Sequence, residues 1–373
     1  MKKLILSTLF SVLCICLLPV TGLSCTTFVL DNNGQPVYGK NFDWMPVSSY
    51  VVVNKRGVAK TTIGSNSTDK LIEWTSRFGS ITFTYFMREW PFEGMNEAGL
   101  FVSSMGLLDI IEYPEADSRA PIHPFRWVQY QLDNCSTVDE VLASDQIIRI
   151  PQPSPDSKDT MGAHYLVSDS KGKTAIIEWI DKKMVVHAGD TLPVKVLTNT
   201  TYDQSLEVLS NFKGFGGSWP IPPGLFWVYF SNDTHSYLRF IRAAEMVKDF
   251  DPKTSGPAVD YALSSLRKVS MHPISGRSRW RSVYDPTNKR IYFNSFDDQE
   301  VRYFNTDAFD YSCTTPAKAL NVNAKLSGDV TSSFVDYTQD MSRDMLEHTW
   351  PPIDKEVIDL ISTYPEQYTH CTE

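Results

Sequence analysis

Cys25-Thr26-Thr27-Phe28-Val29-Leu30 is a β-branched, apolar run, Asp31-Asn32-Asn33-Gly34 is a turn signal, and Pro36-Val37-Tyr38-Gly39 resumes an extended pattern that leads into Lys40-Asn41-Phe42-Asp43-Trp44. Two such runs around a polar Asn/Gly cluster read as a β-hairpin. This hairpin starts on a cysteine, and its return strand brings Lys40, Asn41 and Asp43 back beside that cysteine.

What precedes Cys25 gives the cysteine its meaning. Met1-Lys2-Lys3 is basic, Leu4 to Val20 is apolar, and Gly22 and Ser24 are the small residues a signal peptidase requires, so residues 1–24 read as a secretory signal peptide. As a membrane anchor the run is a poor fit: Ser7, Thr8 and Ser11 interrupt it, and a spanning helix needs about 20 apolar residues. A lipid anchor on Cys25 ranks second, because Gly22 stands where a lipoprotein has Leu, three residues before the Cys. The expectation is a protein exported to the periplasm or beyond, without stable membrane insertion after cleavage, whose mature part is one domain over residues 25–373 with Cys25 at its N-terminus.

A formal charge of −9 excludes the basic surface that nucleic-acid binding needs. The mature part keeps Cys25, Cys135, Cys313 and Cys371, in no Cys-x-x-Cys spacing, and no His-Glu-x-x-His occurs, so neither a metal nor another cofactor is expected. In an oxidising compartment two of Cys135, Cys313 and Cys371 can pair, and spacing does not choose which. The partner expected is a small molecule, and a homo-oligomer is compatible with the composition.

Two further meanders are legible. One runs through His164–Asp169, Thr174–Ile180 and Met184–His187; the other pairs Arg281–Tyr284 with Arg290–Asn294 across Asp285-Pro286-Thr287-Asn288. Ser136 and Thr137 ahead of Glu140 have capping-box spacing, and His235–Phe250 and Pro257–Val269 carry helical apolar patterns. Strands mixed with helix pairs, without regular βαβ spacing, predict an α+β chain of antiparallel sheets covered by helices.

An N-terminal cysteine carries a nucleophile and a base together. A thiol of pKa about 8.5 sits beside an α-amine of about 7.7–8.0, so the amine can take the thiol proton at working pH. With Gly39-Lys40-Asn41-Phe42-Asp43-Trp44 on the next strand, the chain resembles the choloylglycine hydrolase and penicillin V acylase family of N-terminal nucleophile hydrolases. Gly94-Met95-Asn96-Glu97-Ala98-Gly99-Leu100, Val196-Leu197-Thr198-Asn199 and Leu238-Arg239-Phe240-Ile241-Arg242 resemble its later motifs, in order.

The resemblance implies a four-layer αββα fold with two stacked antiparallel sheets and hydrolysis of a linear, non-peptide amide: a conjugated bile salt, penicillin V, an N-acyl homoserine lactone or another N-acylated amine. It implies Cys25 as nucleophile, Asp43 as holder of the α-amine, Asn199 as oxyanion donor and Arg239 as a cation near the thiol. Lys40 replaces the family's Arg and ranks lower, since an ammonium cannot reproduce a bidentate guanidinium. Phe101 to Gly106 lacks the Asn common in bile-salt hydrolases, so bile-salt specificity is not implied. The rival is a lipid-anchored binding protein without turnover.

Trp44, Met45, Phe83, Trp219 and Phe226 are the candidate walls of an apolar acyl pocket; all read equally as core, and for the strand-like Phe83 to Phe86 run core is the stronger reading. Gly214 to Phe230, rich in Gly and Pro, reads as a loop that covers the pocket or contacts another subunit. Asn199-Thr200-Thr201 also spells a glycosylation sequon, and His164 and His187 read as structural.

Overall fold

The computed structural model describes residues 25–61, 72–107, 111–152, 162–221, 232–270, 277–349, 352–367 and 369–372. The expected signal peptide lies outside them.

Strands β1 (Thr26–Asn32) and β2 (Gln35–Trp44) form the hairpin, in register from Thr26↔Asn41 to Asn32↔Gln35. The loop is shorter than the turn signal suggested. Asn33 (φ 57°) and Gly34 (φ 78°) alone make it, because two consecutive left-handed residues match the right-handed twist of the strands they join.

The hairpin is the middle of a seven-stranded sheet. Val196–Leu197 pairs with β1 on one side, Arg277–Asp285 with β2 on the other, followed by Arg290–Ser295 and Arg302–Asn305. A second sheet of nine strands runs, in spatial order, from Lys183–Ala188 through Thr174–Ile180, Ala163–Ser168, Phe101–Gly106, Glu93–Asn96 and Ser80–Thr84 to Tyr50–Asn54 and beyond.

The sheets face each other across an aromatic core. Trp280 stacks on Phe42 at 4.0 Å, and Tyr38 of β2 stacks on Phe101 of the second sheet at 4.7 Å. The outer face of the first sheet is covered by the helices Asn232–Asp249 and Ala258–Lys268, from which Phe240, Ile241, Leu263 and Leu266 are buried. The outer face of the second is covered by Pro124–Asn134, whose Trp127, Val128 and Leu132 pack with Leu100, Val102 and Tyr165. The layers are therefore αββα, and strands buried on both faces lose the polar/apolar alternation that would otherwise mark them.

Several local expectations hold in detail. Thr137 caps the Val138–Ala143 helix by accepting the Glu140 N–H at 3.2 Å, while the Glu140 carboxylate reaches back to the Ser136 N–H at 2.5 Å. The Gly94–Leu100 motif leaves the Glu93–Asn96 strand in a turn: Asn96 Oδ1 accepts the N–H groups of Ala98 and Leu100, and Gly99 (φ 82°) supplies the left-handed residue. Cys313 and Cys371 form the disulfide, leaving Cys25 and Cys135 free and buried. That bridge pins the Thr369–Cys371 strand, which pairs with Val58–Thr61.

Candidate active site

Cys25 ends the hairpin at the rim of the sandwich and is 2% exposed. Residues along β2 alternate in direction, and this divides the polar cluster. Lys40 and Phe42 face the second sheet, where Lys40 Nζ donates to the Ser104 carbonyl at 2.7 Å. Asn41 and Asp43 face the helices, where Asn41 Nδ2 donates to the Leu266 carbonyl at 2.9 Å.

Asp43 is held from one side only. Its Oδ1 accepts the Ser278 hydroxyl, and Oδ2 has no hydrogen-bond partner among the described residues. Ser278 reaches it because the pairing of β2 with Arg277–Asp285 slips between Ser278 and Trp280. Such a bulge re-aims the side chains beside it, here a hydroxyl onto the carboxylate and an indole onto Phe42.

Arg239, on the Asn232–Asp249 helix, ties three pieces together. Its Nη1 donates to the Cys25 carbonyl and, at 2.7 Å, to Thr26 Oγ1, while Nη2 donates to Asn199 Oδ1 at 3.1 Å. One turn earlier, the Ser236 hydroxyl accepts the Asn199 N–H at 2.9 Å. Asn199 Nδ2 donates one hydrogen to the Gly106 carbonyl at 2.8 Å. With its side-chain amide held at two points and its backbone N–H at a third, Asn199 is a pre-organised donor, and a side chain committed in this way is not a surface glycosylation acceptor.

Burial pushes the Cys25 thiol above its ordinary value. The Lys40 ammonium is the strongest influence in the other direction, the Asp43 carboxylate adds to the rise, and the Asp43 N–H on sulfur and the Arg239 guanidinium lower it. Lys40, ranked low from sequence, therefore pulls the thiol down more strongly than Arg239 does. Burial also pushes the Asp43 carboxyl up to about 6, against the pull of Arg239, Ser278, Arg281 and Lys40.

Lys40 is balanced by a residue the sequence did not single out. Glu93 is fully buried, raised by that burial and drawn down first by Lys40, and its Oε1 accepts Trp280 Nε1 at 3.2 Å and Tyr284 Oη at 3.0 Å. Only its place, an acid inside a strand next to the Gly94–Leu100 motif, marked it in advance.

The sequence matches the choloylglycine hydrolase family of linear amide C–N hydrolases over residues 25–223, more than half of the chain. The chain belongs to the choloylglycine hydrolase family. It is an amidohydrolase acting on linear amides, with the mixed α+β fold of that family.

Among curated relatives of this family, the penicillin V acylase of Pectobacterium atrosepticum is 28% identical over 309 residues, 74% of this chain and 78% of that protein. The bile salt hydrolase/transferase of Clostridium perfringens is 24% identical over 199 residues, 51% of this chain and 58% of that protein. Penicillin V acylase from Agrobacterium tumefaciens superposes with a TM-score of 0.67 and 26% identity, covering 84% of this chain and 98% of that one. A variant of conjugated bile acid hydrolase from Clostridium perfringens gives a TM-score of 0.63 at 20% identity over 81% of this chain and 98% of its own, a likeness of fold.

In this member of the choloylglycine hydrolase family a small cavity adjoins Cys25. Phe42, Trp44, Tyr85, Phe92 and Phe125 give it aromatic walls, and Met105, Gly106, Gly162 and Ala163 complete it. Of the expected walls, Trp44 is present. Phe83 is not: it is fully buried among Trp280, Tyr284 and Phe293 and belongs to the inter-sheet core.

Met45, half-buried one residue beyond β2, does not line the cavity. Trp219 is 58% exposed, packs edge-on against Phe212 and is also not part of it. Phe226, with the rest of residues 222–231, lies outside the described residues. Phe92 and Phe125 were missed because an aromatic residue in a loop or a first helical turn carries no signal of the direction it faces. Among the described residues no group of three His, Cys, Asp or Glu side chains is placed to hold a metal ion.

Proposed function

We propose that the protein is exported, that removal of residues 1–24 frees the α-amine of Cys25, and that the mature enzyme cleaves small N-acyl amines through a Cys25 thioester. The observation that carries this reading is the position of Cys25. Cys25 lines an aromatic-walled cavity, Arg239 joins its carbonyl to the Asn199 side chain, and Asp43, which acts electrostatically on the thiol, has a carboxylate oxygen without a hydrogen-bond partner among the described residues.

In this reading the α-amine takes the thiol proton and sulfur attacks the acyl carbon. The carbonyl oxygen gathers negative charge and receives the second N–H of Asn199, worth about 3–4 kcal/mol in such a site. The C–N bond breaks as the α-ammonium returns its proton to the leaving amine. Water, deprotonated by the same α-amine, then attacks the thioester and releases the acid and the free thiol. The Asp43 carboxylate holds the α-amino group and stabilises its charged form.

Five aromatic rings around the cavity favour a flat aryl acyl group such as that of penicillin V, and the relation to two penicillin V acylases supports the same choice over a steroid acyl group. The Cys313–Cys371 disulfide supports an oxidising compartment and so export.

The test is the intact mass of the mature N-terminus together with turnover of Cys25→Ser and of a chain extended by one residue before Cys25. An unmodified N-terminal Cys, very slow turnover in the Ser variant and none in the extended chain are expected. An acylated Cys25 would make the protein a lipid-anchored binder instead, and full activity with a blocked amine would overturn the mechanism.

A further inference from the structure

Asn199 follows a strand of two residues, Val196–Leu197, which bonds to β1 only at Thr27 and Phe28. No ladder continues to Asn199, so side chains from other elements must set its position. Ser236 and Arg239 approach from the helix layer. From the opposite layer comes His164, fully buried in the Ala163–Ser168 strand, whose Nε2 lies 2.7 Å from the Thr198 carbonyl oxygen.

A carbonyl only accepts, so Nε2 carries the hydrogen. The other ring nitrogen, Nδ1, is 2.8 Å from Glu178 Oε1. Glu178 also accepts the Tyr202 N–H at 3.1 and 3.2 Å and stands 3.5 Å from His187 Nε2. Although burial alone would raise it, the bonds from His164 and His187 and the Tyr202 N–H hold its carboxyl down at about 2. As an anion Glu178 only accepts, so Nδ1 carries a hydrogen as well; the ring donates to two acceptors, and Glu178 anchors it with Nε2–H toward Thr198.

The strand register makes the arrangement specific. Ala163 and His164 pair with Gly106 and Met105. Gly106 is the residue whose carbonyl takes the Asn199 amide, and Ala163, Met105 and Gly106 line the cavity. The same strand pair therefore holds the Asn199 side chain through Gly106 and its preceding carbonyl through His164.

We infer that His164, oriented by Glu178, is a positioning residue for amide hydrolysis, clamping the Thr198 carbonyl so that the Asn199 amide meets the developing oxyanion. This rests on the reading of Asn199 as the oxyanion donor. His164 touches no substrate; it acts through Asn199.

Removing the histidine alone would strand a buried carboxylate, so the comparison is made in Glu178→Gln, whose side-chain amide donates to Nδ1 and keeps Nε2–H on Thr198. Glu178→Gln is the reference background, and its kcat is measured first. Adding His164→Met lowers kcat about 10²-fold, the cost of a misplacement of about 1 Å, with KM essentially unchanged. Once Asn199→Ala is also present, His164→Met costs little more, because the donor it positions is gone.

An equal cost in both backgrounds, or no cost while Asn199→Ala still lowers turnover, refutes the clamp. Normal turnover in folded Asn199→Ala refutes the oxyanion reading itself. Should the combined variant not fold, ¹⁵N-histidine NMR of the wild-type protein decides: a protonated Nε2 coupled to the Thr198 carbonyl supports the clamp, and a bare Nε2 overturns it.

Discussion

Replacing Glu178 by Gln changes stability in a way that depends on pH and can be worked out beforehand. The carboxyl lies at about 2 in the folded protein against an ordinary value of 4.5. The unfolded chain therefore binds its proton more readily, and ionised Glu178 stabilises the fold at every pH above 4.5. At pH 7 the difference is worth about 3 kcal/mol, and by pH 3 roughly half of it remains. It is lost as pH falls through about 2.

Gln cannot ionise, so the variant lacks this contribution throughout. Urea unfolding of both proteins at pH 7, 5, 4 and 3 should show a gap that is constant down to about 5 and narrows below it, by roughly half at pH 3. A loss of about 3 kcal/mol leaves an ordinary domain folded. A gap unchanged between pH 7 and pH 3 would mean that Glu178 is not held as an anion in the folded protein.

Three other perturbations test other parts of the molecule. Lys40→Met combined with Glu93→Gln removes the stronger cationic pull on Cys25 without stranding a carboxylate. The pH profile of Cys25 alkylation should move to higher pH, and an unmoved profile would deny Lys40 that role. Phe125→Ala opens one wall of the cavity and should shift the kcat/KM ratio toward bulkier acyl groups by about tenfold or more; an unchanged ratio in a substrate panel would place the acyl group elsewhere. Replacing Cys313 and Cys371 by Ser releases a 58-residue separation and should lower stability by about 4 kcal/mol, read from the urea midpoint. An unshifted midpoint would show that the bridge does not constrain the unfolded chain.

The legibility of this protein followed the locality of its interactions. The Asn33-Gly34 turn, the Thr137 cap and the two long helices depend on residues a few places apart, and each was readable to within a few positions. The placing of Cys25, Asp43, Asn199 and Arg239 in one cluster came from resemblance, because nothing in periodicity brings residue 239 to residue 25.

What escaped was set by direction and by distant partners. Ser278 reaches Asp43 through a register slip that no propensity encodes, and Glu93 answers a lysine more than fifty positions away. Phe83 was offered to the pocket although its strand buries it in the core, while Phe92 and Phe125 went unnoticed. His164 and His187 were read as structural without reference to Glu178, which contacts both from the strand between theirs.

The hairpin that begins at Cys25 is the earliest described part of the chain to be synthesised and among the last to be enclosed. Phe28 waits for Val196, and Asn41 for Arg281, before either strand has its second neighbour. Contacts of such separation form late, after a large loss of chain entropy. A chain interrupted anywhere before residue 281 has the nucleophile but no enclosure for it. During refolding, recovered turnover should therefore trail the return of helical signal, making catalysis a gauge of how far folding has gone.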